Sequence, residues 1–168
     1  MNRNEFRDFV THMEWADALT WRSVRDLPAA QTDARLRYLL HHMHIVQLVY
    51  MQAWRGDPFK VTELAAYADL SSLLEWSRPY YAVAREFSTS VDESRFDRPI
   101  VFPWAEEIQK RFGTVTPATF AESAWQVFSH TTYHRGQVAT RVREIGGEPP
   151  LVDFLVWVWQ GKPHADWS

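Results

Sequence analysis

Cysteine is absent from the 168 residues. Its absence excludes disulfides, thiolate ligation of a metal and a cysteine nucleophile, so any thiol chemistry needs a thiol from outside the chain. Glycine is scarce, with six in all, and no apolar run approaches the ~20 residues of a membrane-spanning helix. The opening Met1-Asn2-Arg3-Asn4-Glu5 lacks the apolar core of a secretory signal, so a soluble, cytoplasmic protein with no membrane partner is expected. Neither sign of charge is in large excess. The net charge is −3 and no Lys/Arg cluster stands out, so the electrostatic footprint of a nucleic-acid binder is missing and no nucleic-acid partner is expected.

Aromatic residues are abundant instead: nine Trp, ten Phe and six Tyr. Such side chains favour a packed interior or a pocket with aromatic walls. The length suits one domain over residues 1–168, large enough to bury a good core.

Apolar residues recur with the period of helices throughout, so the fold class is all-α. A first helix runs from Arg3 to about Asp26 on Phe6, Phe9, Val10, Met13, Ala16, Thr20 and Val24, and Leu27-Pro28 ends it. Trp15 and Trp21 are expected to pack partly buried, and His12 to be a surface or hydrogen-bonded histidine. Asp33 can cap a second helix to about Arg55, stopped by Gly56-Asp57-Pro58. A third starts near Asp69 or Ser72, where Ser72 and Glu75 form a capping-box pattern, and reaches about Ser90 with a kink or restart at Pro79. Residues 91–115 read as a long crossover containing an extended piece or a helical turn at Ala105 to Arg111. The last long helix lies between Thr116 and Gly147. Thr116-Pro117 or Thr119 with Glu122 starts it, and Gly146-Gly147 stops it. Phe154 to Trp159 is too short to span a membrane, so it packs as a terminal helix or covers a dimer surface.

Chemistry concentrates on the last long helix. Phe120, Ala124, Val127, Thr131, His134, Val138, Val142 and Ile145 form its packed seam, and His130 lies one turn before His134. The two imidazoles project from one side and can reach one metal ion or one proton path. Spacing alone is weak support, since seven histidines give roughly 0.3 His-x-x-x-His pairs by chance. Two hydrogen-bonded core histidines are the alternative. The second helix offers His41, His42 and His44. At 100° per residue they fall roughly 180°, 80° and 120° from the centre of the apolar arc, so His42 looks inward best, His44 sits on the boundary and His41 is solvated. Gln47 and Thr131 are candidates to orient a ligand imidazole. Arg135 either receives a carboxylate of a substrate or thiol cofactor or is an ordinary surface arginine. Gly136 within the helix suggests close approach of another helix there.

Leu40-His41-His42 followed by Tyr50, Trp54 and Gly56-Asp57-Pro58, then His130-x-x-x-His134-Arg135-Gly136-Gln137, then Arg143-x-x-Gly146-x-x-Pro149 and Asp153, resembles the DinB family over nearly the whole chain. Counted back from Gly56, with Tyr50 in the place of the usual aromatic, the family histidine falls on His42, with His44 as the alternative. The resemblance implies a four-helix bundle with a long connection between helices two and three or three and four, a metal held by three histidines, and a homodimer. Characterised relatives include transferases that join low-molecular-weight thiols to electrophiles, and a thiol-dependent maleylpyruvate isomerase. The expected ligands are thus His42, His130 and His134, with Arg135 as a cofactor-binding candidate and zinc or nickel as the ion. Three neutral imidazoles leave a zinc-like ion one open position, where a water or a thiol loses its proton readily and becomes the reactive group. The expected function is metal-dependent transfer of a low-molecular-weight thiol to a small-molecule electrophile, or thiol-dependent isomerisation. A metal-dependent hydrolase and a non-enzymatic, metal-binding dimeric protein are the alternatives.

Overall fold

In the computed structural model, which describes residues 1–168, each of the three longest helices begins at a side-chain cap. Asn2 accepts from the Glu5 N–H while the Glu5 carboxylate accepts from the Asn2 N–H, and α1 runs Arg3–Arg25. This reciprocal box satisfies two amide donors that the first helical turn otherwise leaves free. Asp33 accepts from the Leu36 N–H to start α2, Ala34–Arg55, which ends at Gly56 with φ 71°, a left-handed conformation that favours glycine. Helix α3, Leu70–Ser77, is capped by Asp69 paired with Ser72, not by Ser72 with Glu75. Helix α4 is Pro79–Ser90, α5 is Ala105–Phe112, α6 is Phe120–Glu144 with Thr119 and Glu122 as its capping box, and α7 is Phe154–Trp159.

Pro79 restarts the helix without turning the chain away. Arg78 keeps helical angles (φ −58°, ψ −42°), its N–H reaches the Leu74 carbonyl at 3.1 Å, and its own carbonyl accepts from Tyr81 at 3.1 Å. Proline is tolerated because it stands at the first position of α4, where an N–H has no obligatory partner. No strand forms. The extended piece expected within residues 91–115 amounts to one bridge, Pro99 with Thr119, supported by the Ile100 N–H on the Ala118 carbonyl at 2.8 Å.

Helix α1 packs on α4 and α6, and α2 packs on α6, α3 and α4. Contacts between the helices give the directions. Phe6 meets Phe120 and Asp17 meets Arg135, so α1 and α6 are parallel; Asp33 meets Arg141 and Trp54 meets Ser123, so α2 and α6 are antiparallel. His44 meets Tyr81 and Trp54 meets Phe87, which makes α2 and α4 parallel. The connection that returns the chain to run parallel is therefore residues 56–69. The longer stretch from 91 to 119, the expected crossover, leads from α4 into α6, which runs opposite to it.

Two apolar clusters fill the bundle. One surrounds Phe6, whose ring meets Trp54, Phe96 and Phe120 edge-on at 5.4–5.8 Å; the other gathers Trp21, Leu36, Leu40, Leu73, Val138 and Val142. Trp15 and Trp21 are buried more deeply than expected, and His12 donates from Nε2 to the Val152 carbonyl at 3.0 Å, tying α1 to the segment before α7. Gly136 does not mark a close approach: a Cβ there would meet nothing within 4 Å. The tight contact is at Gly147, where a Cβ would lie 2.7 Å from Leu27 Cδ2 and 2.8 Å from Val142 Cγ1.

Candidate metal centre

The α2–α6 seam is pinned at both ends. Arg141 grips the Asp33 carboxylate from Nε and Nη2 at 2.9 and 2.6 Å, and the Trp54 indole N–H donates to Ser123 Oγ at 2.9 Å. Between these anchors the antiparallel register sets His42 opposite His130 and His134. Their ring centroids lie 5.2 Å (42 to 130), 4.7 Å (42 to 134) and 4.3 Å (130 to 134) apart. One nitrogen from each ring falls in a group whose members all lie within 4.8 Å of one another, so the three could hold a metal ion. The Nε2 atoms of His130 and His134 are 3.1 Å apart. Two nitrogens bound tetrahedrally at zinc distances stand about 3.3 Å apart, so this pair already has nearly the required separation.

Protonation favours ligation. His134 Nδ1 donates to Gln137 Oε1 at 2.7 Å, which places the proton on Nδ1 and leaves the Nε2 lone pair facing its neighbours. Burial, then the charge of His134, then that of His42 lower the His130 pKa to about 4. Burial, His134 and His41 lower that of His42 in the same way. Both rings are therefore neutral at neutral pH, as a ligand must be. His130 Nδ1 is buried and has no partner in the chain. Two exposed tyrosines border the group: the Tyr38 ring stacks on His42 at 6.0 Å and 8°, and Tyr133 meets His134 edge-on at 5.2 Å.

His44, the alternative to His42, lies elsewhere. Its Nε2 accepts from the Trp21 indole at 2.8 Å and its Nδ1 donates to Gln47 Oε1 at 2.8 Å, so both ring nitrogens are occupied inside the core. His41 is not solvated as expected. It is buried and donates to the Thr62 carbonyl at 2.8 Å, because the 56–69 connection and α3 cover the side of α2 that the helical wheel leaves free. Gln47 and Thr131 do not orient the histidine group either. Gln47 donates to Asp17 Oδ2 at 2.8 Å and approaches Thr131 Oγ1 at 3.5 Å, in the middle of the bundle.

Arg135 is not a surface arginine, and its Nε is buried without a partner beside a cavity lined by Phe9, His12 and Phe128. It is 4% exposed, and its Nη1 donates to Asp17 Oδ1 at 2.8 Å while Nη2 donates to Thr132 Oγ1 at 2.9 Å. The carboxylate it receives belongs to the chain. Asp17 is fully buried and also accepts from the Tyr81 hydroxyl, whose pKa burial and then Asp17 push well above its ordinary value. Asp17, Gln47, Tyr81 and Arg135 thus bring one polar side chain from each of α1, α2, α4 and α6 to a common centre.

The sequence alone assigns no role to Asp17 or to Gln137, although Gln137 closes the second histidine motif, and both carry a signal. Asp17 continues the core spacing of Phe6, Val10 and Met13 toward Val24, so a charged residue occupied a position that the period assigns to the interior. Gln137 lies three residues after His134, on the same helical face.

No curated protein matches the chain. The model of the DinB family matches residues 1–164, a span that takes in all four packed helices and every member of the histidine group. The chain belongs to the DinB family.

Proposed function

We propose that His42, His130 and His134 hold one divalent ion, zinc or nickel, and that the protein is an enzyme joining a low-molecular-weight thiol to an electrophilic small molecule. The carrying observation is the convergence of three imidazole nitrogens, with no fourth protein ligand in the group. Three protein ligands are the pattern of catalytic sites, whereas structural zinc sites close with four. A bound ion would act as a Lewis acid that lowers the pKa of a thiol or water at the free position.

The chain's own residues account for the rest. Gln137 holds the His134 tautomer, and partial burial keeps His42 and His130 uncharged. Tyr38 and Tyr133 offer apolar ring faces on either side of the group, against which the carbon skeleton of an acceptor can rest. The thiol comes from solution because the chain has no cysteine. In the overall reaction the thiol gives up its proton and forms an S–C bond; chloride departs from a chlorinated acceptor, or an epoxide C–O bond opens and its oxygen takes a proton. We take the working unit to be a homodimer, for which the exposed Leu151, Leu155 and Trp159 offer apolar surface.

The test is metal content per chain followed by turnover of small thiols with chlorinated and epoxide acceptors, comparing the natural protein with His134→Ala. One ion per chain and turnover, both lost in the variant, support the proposal. An ion with no turnover for any thiol and acceptor pair leaves a metal-binding protein without this activity, and absence of any ion overturns the site itself. Light scattering in solution reports the homodimer separately.

A further inference from the structure

On the far side of α2 from His42, a cleft of about 440 Å³ opens between α2 and the α3–α4 pair. Its residues Leu48, Met51 and Arg55 point roughly 120° to 180° away from His42 around the helix, so nothing bound here touches the histidine group. The volume lies within the range of small-molecule sites. A ~150 Å³ cavity already admits benzene, so this one has room for a ring and a short chain.

The cleft is formed without a ligand. Gln52 fixes its roof by accepting from the Lys60 N–H and donating to the Lys60 carbonyl, both at 3.0 Å, and His41 holds the Thr62 carbonyl. Its walls are the apolar faces of Leu48, Met51, Trp76, Pro79 and Val83. At the floor, His44 has both nitrogens occupied and offers no free valence. Tyr80, also in the wall, carries a buried hydroxyl with no partner in the protein. Burial, and then Asp17, push the Tyr80 pKa far up, so that hydroxyl keeps its proton and remains a donor.

Charge at the rim is lopsided. Arg55 is paired with Asp57 at 2.8 Å, whereas the exposed Lys60 ammonium forms no ion pair. The lining therefore sums to one positive charge, Lys60, above an apolar interior, in a chain whose net charge is −3. A molecule complementary to it has an apolar body and one negative charge. A phosphate dianion fits poorly, since it calls for several donors and cations converging at one point.

We infer that the cleft between α2 and α3–α4 binds a small apolar monocarboxylate, with its carboxylate at Lys60 and its apolar body against Met51 and Val83, separately from the histidine centre. The probe is 3-phenylpropanoate, titrated into protein with 13C-methyl methionine. The chain has four methionines, and Met13 and Met43 are buried and do not line the cleft, so they serve as internal controls. The expected result is a saturable shift of the Met51 methyl alone, at least fivefold weaker binding in Lys60→Ala, and a similar loss with the neutral 3-phenylpropanamide. Val83→Trp fills the cleft and abolishes the shift while metal content stays unchanged. Lys60 is on the surface, so its variant keeps the test decisive even where the tryptophan disturbs folding. Absence of a saturable Met51 shift at ~10 mM, well above the millimolar Kd of so small a ligand, overturns the inference. Equal binding of acid and amide, or no effect of Lys60→Ala, overturns it as well. Metal content, read independently, keeps either failure distinct from failure of the histidine site.

Discussion

The bundle contains two polar assemblies built from similar residues, and they end in opposite states. At the centre, Trp21, His44, Gln47, Asp17, Tyr81 and Arg135 form a continuous chain in which both His44 nitrogens and both Asp17 oxygens are engaged. On the α2–α6 seam, His42, His130 and His134 lie partly uncovered, with ring nitrogens directed at one another and His130 Nδ1 without a partner. His42 and His44 are two residues apart on one helix and belong one to each assembly. A buried network whose valences are nearly all filled from within specifies how helices dock; a group whose valences remain unfilled is suited to something from outside. What separates the two is depth together with the extent of hydrogen bonding from within: the central side chains are buried, and Arg135 Nε alone among their polar atoms lacks a partner.

The comparison breaks most visibly at Asp17. Asp17→Ala leaves the Arg135 guanidinium buried without its carboxylate and should cost about 3–5 kcal/mol in urea unfolding. The joint change Asp17→Leu with Arg135→Met should cost much less, because it removes both charges together. A loss below about 1 kcal/mol in the single variant would mean that the central network contributes little to stability.

A crossed pair of substitutions on α2 sharpens the contrast. His44→Leu strands the Trp21 indole N–H and the Gln47 amide, at roughly 1–3 kcal/mol of stability, and leaves metal content intact. His42→Leu should do the reverse, removing the ion while changing the stability of the metal-free protein by less than about 0.5 kcal/mol. If both variants kept their metal, His42 would not be a ligand. A smaller effect is expected from Gln137→Ala, which frees the His134 ring to change tautomer. Metal affinity measured against a competing chelator should fall about 10- to 100-fold without complete loss.

Acid gives the mildest perturbation. The folded pKa of His130, about 4, lies below its ordinary 6.5, so the unfolded chain takes up protons more readily in that interval. Stability of the metal-free protein is whole above pH 6.5 and declines as the pH falls toward 4, with His42 adding in the same direction. His130→Gln should flatten that part of the thermal-unfolding profile. An unchanged slope would show that carboxylates alone govern it.

Much of this organisation was written in local pattern. The long helices followed from apolar period and caps: the Thr119–Glu122 box and the Gly56 stop stand where the residues indicate, since both act within a few residues of chain. The histidine group was legible for a similar reason. His130 and His134 share a face through helix geometry alone, and the wheel of α2 turned His42 toward the bundle. Judgements that depended on what covers a helix from outside fared worse. The helical wheel puts His41 in solvent because it contains no information about the 56–69 connection, and it gives Arg135 no partner because Asp17 is more than a hundred residues earlier. Gly136 was credited with a close contact that belongs to Gly147, a distinction that only the relative placement of Leu27 and Val142 decides.

The proposed ligands are far apart along the chain, with His42 in its first third and His130 and His134 near its end. An ion shared among them would close a loop from residue 42 to residue 130 and act as a detachable crosslink in a protein that has no cysteine for a permanent one. By the chain-entropy reasoning applied to disulfides, tying off a loop of that length restricts the unfolded ensemble by roughly 4 to 5 kcal/mol. Resistance to unfolding would then follow the supply of free metal, so chelation would loosen the whole bundle as well as silence its chemistry.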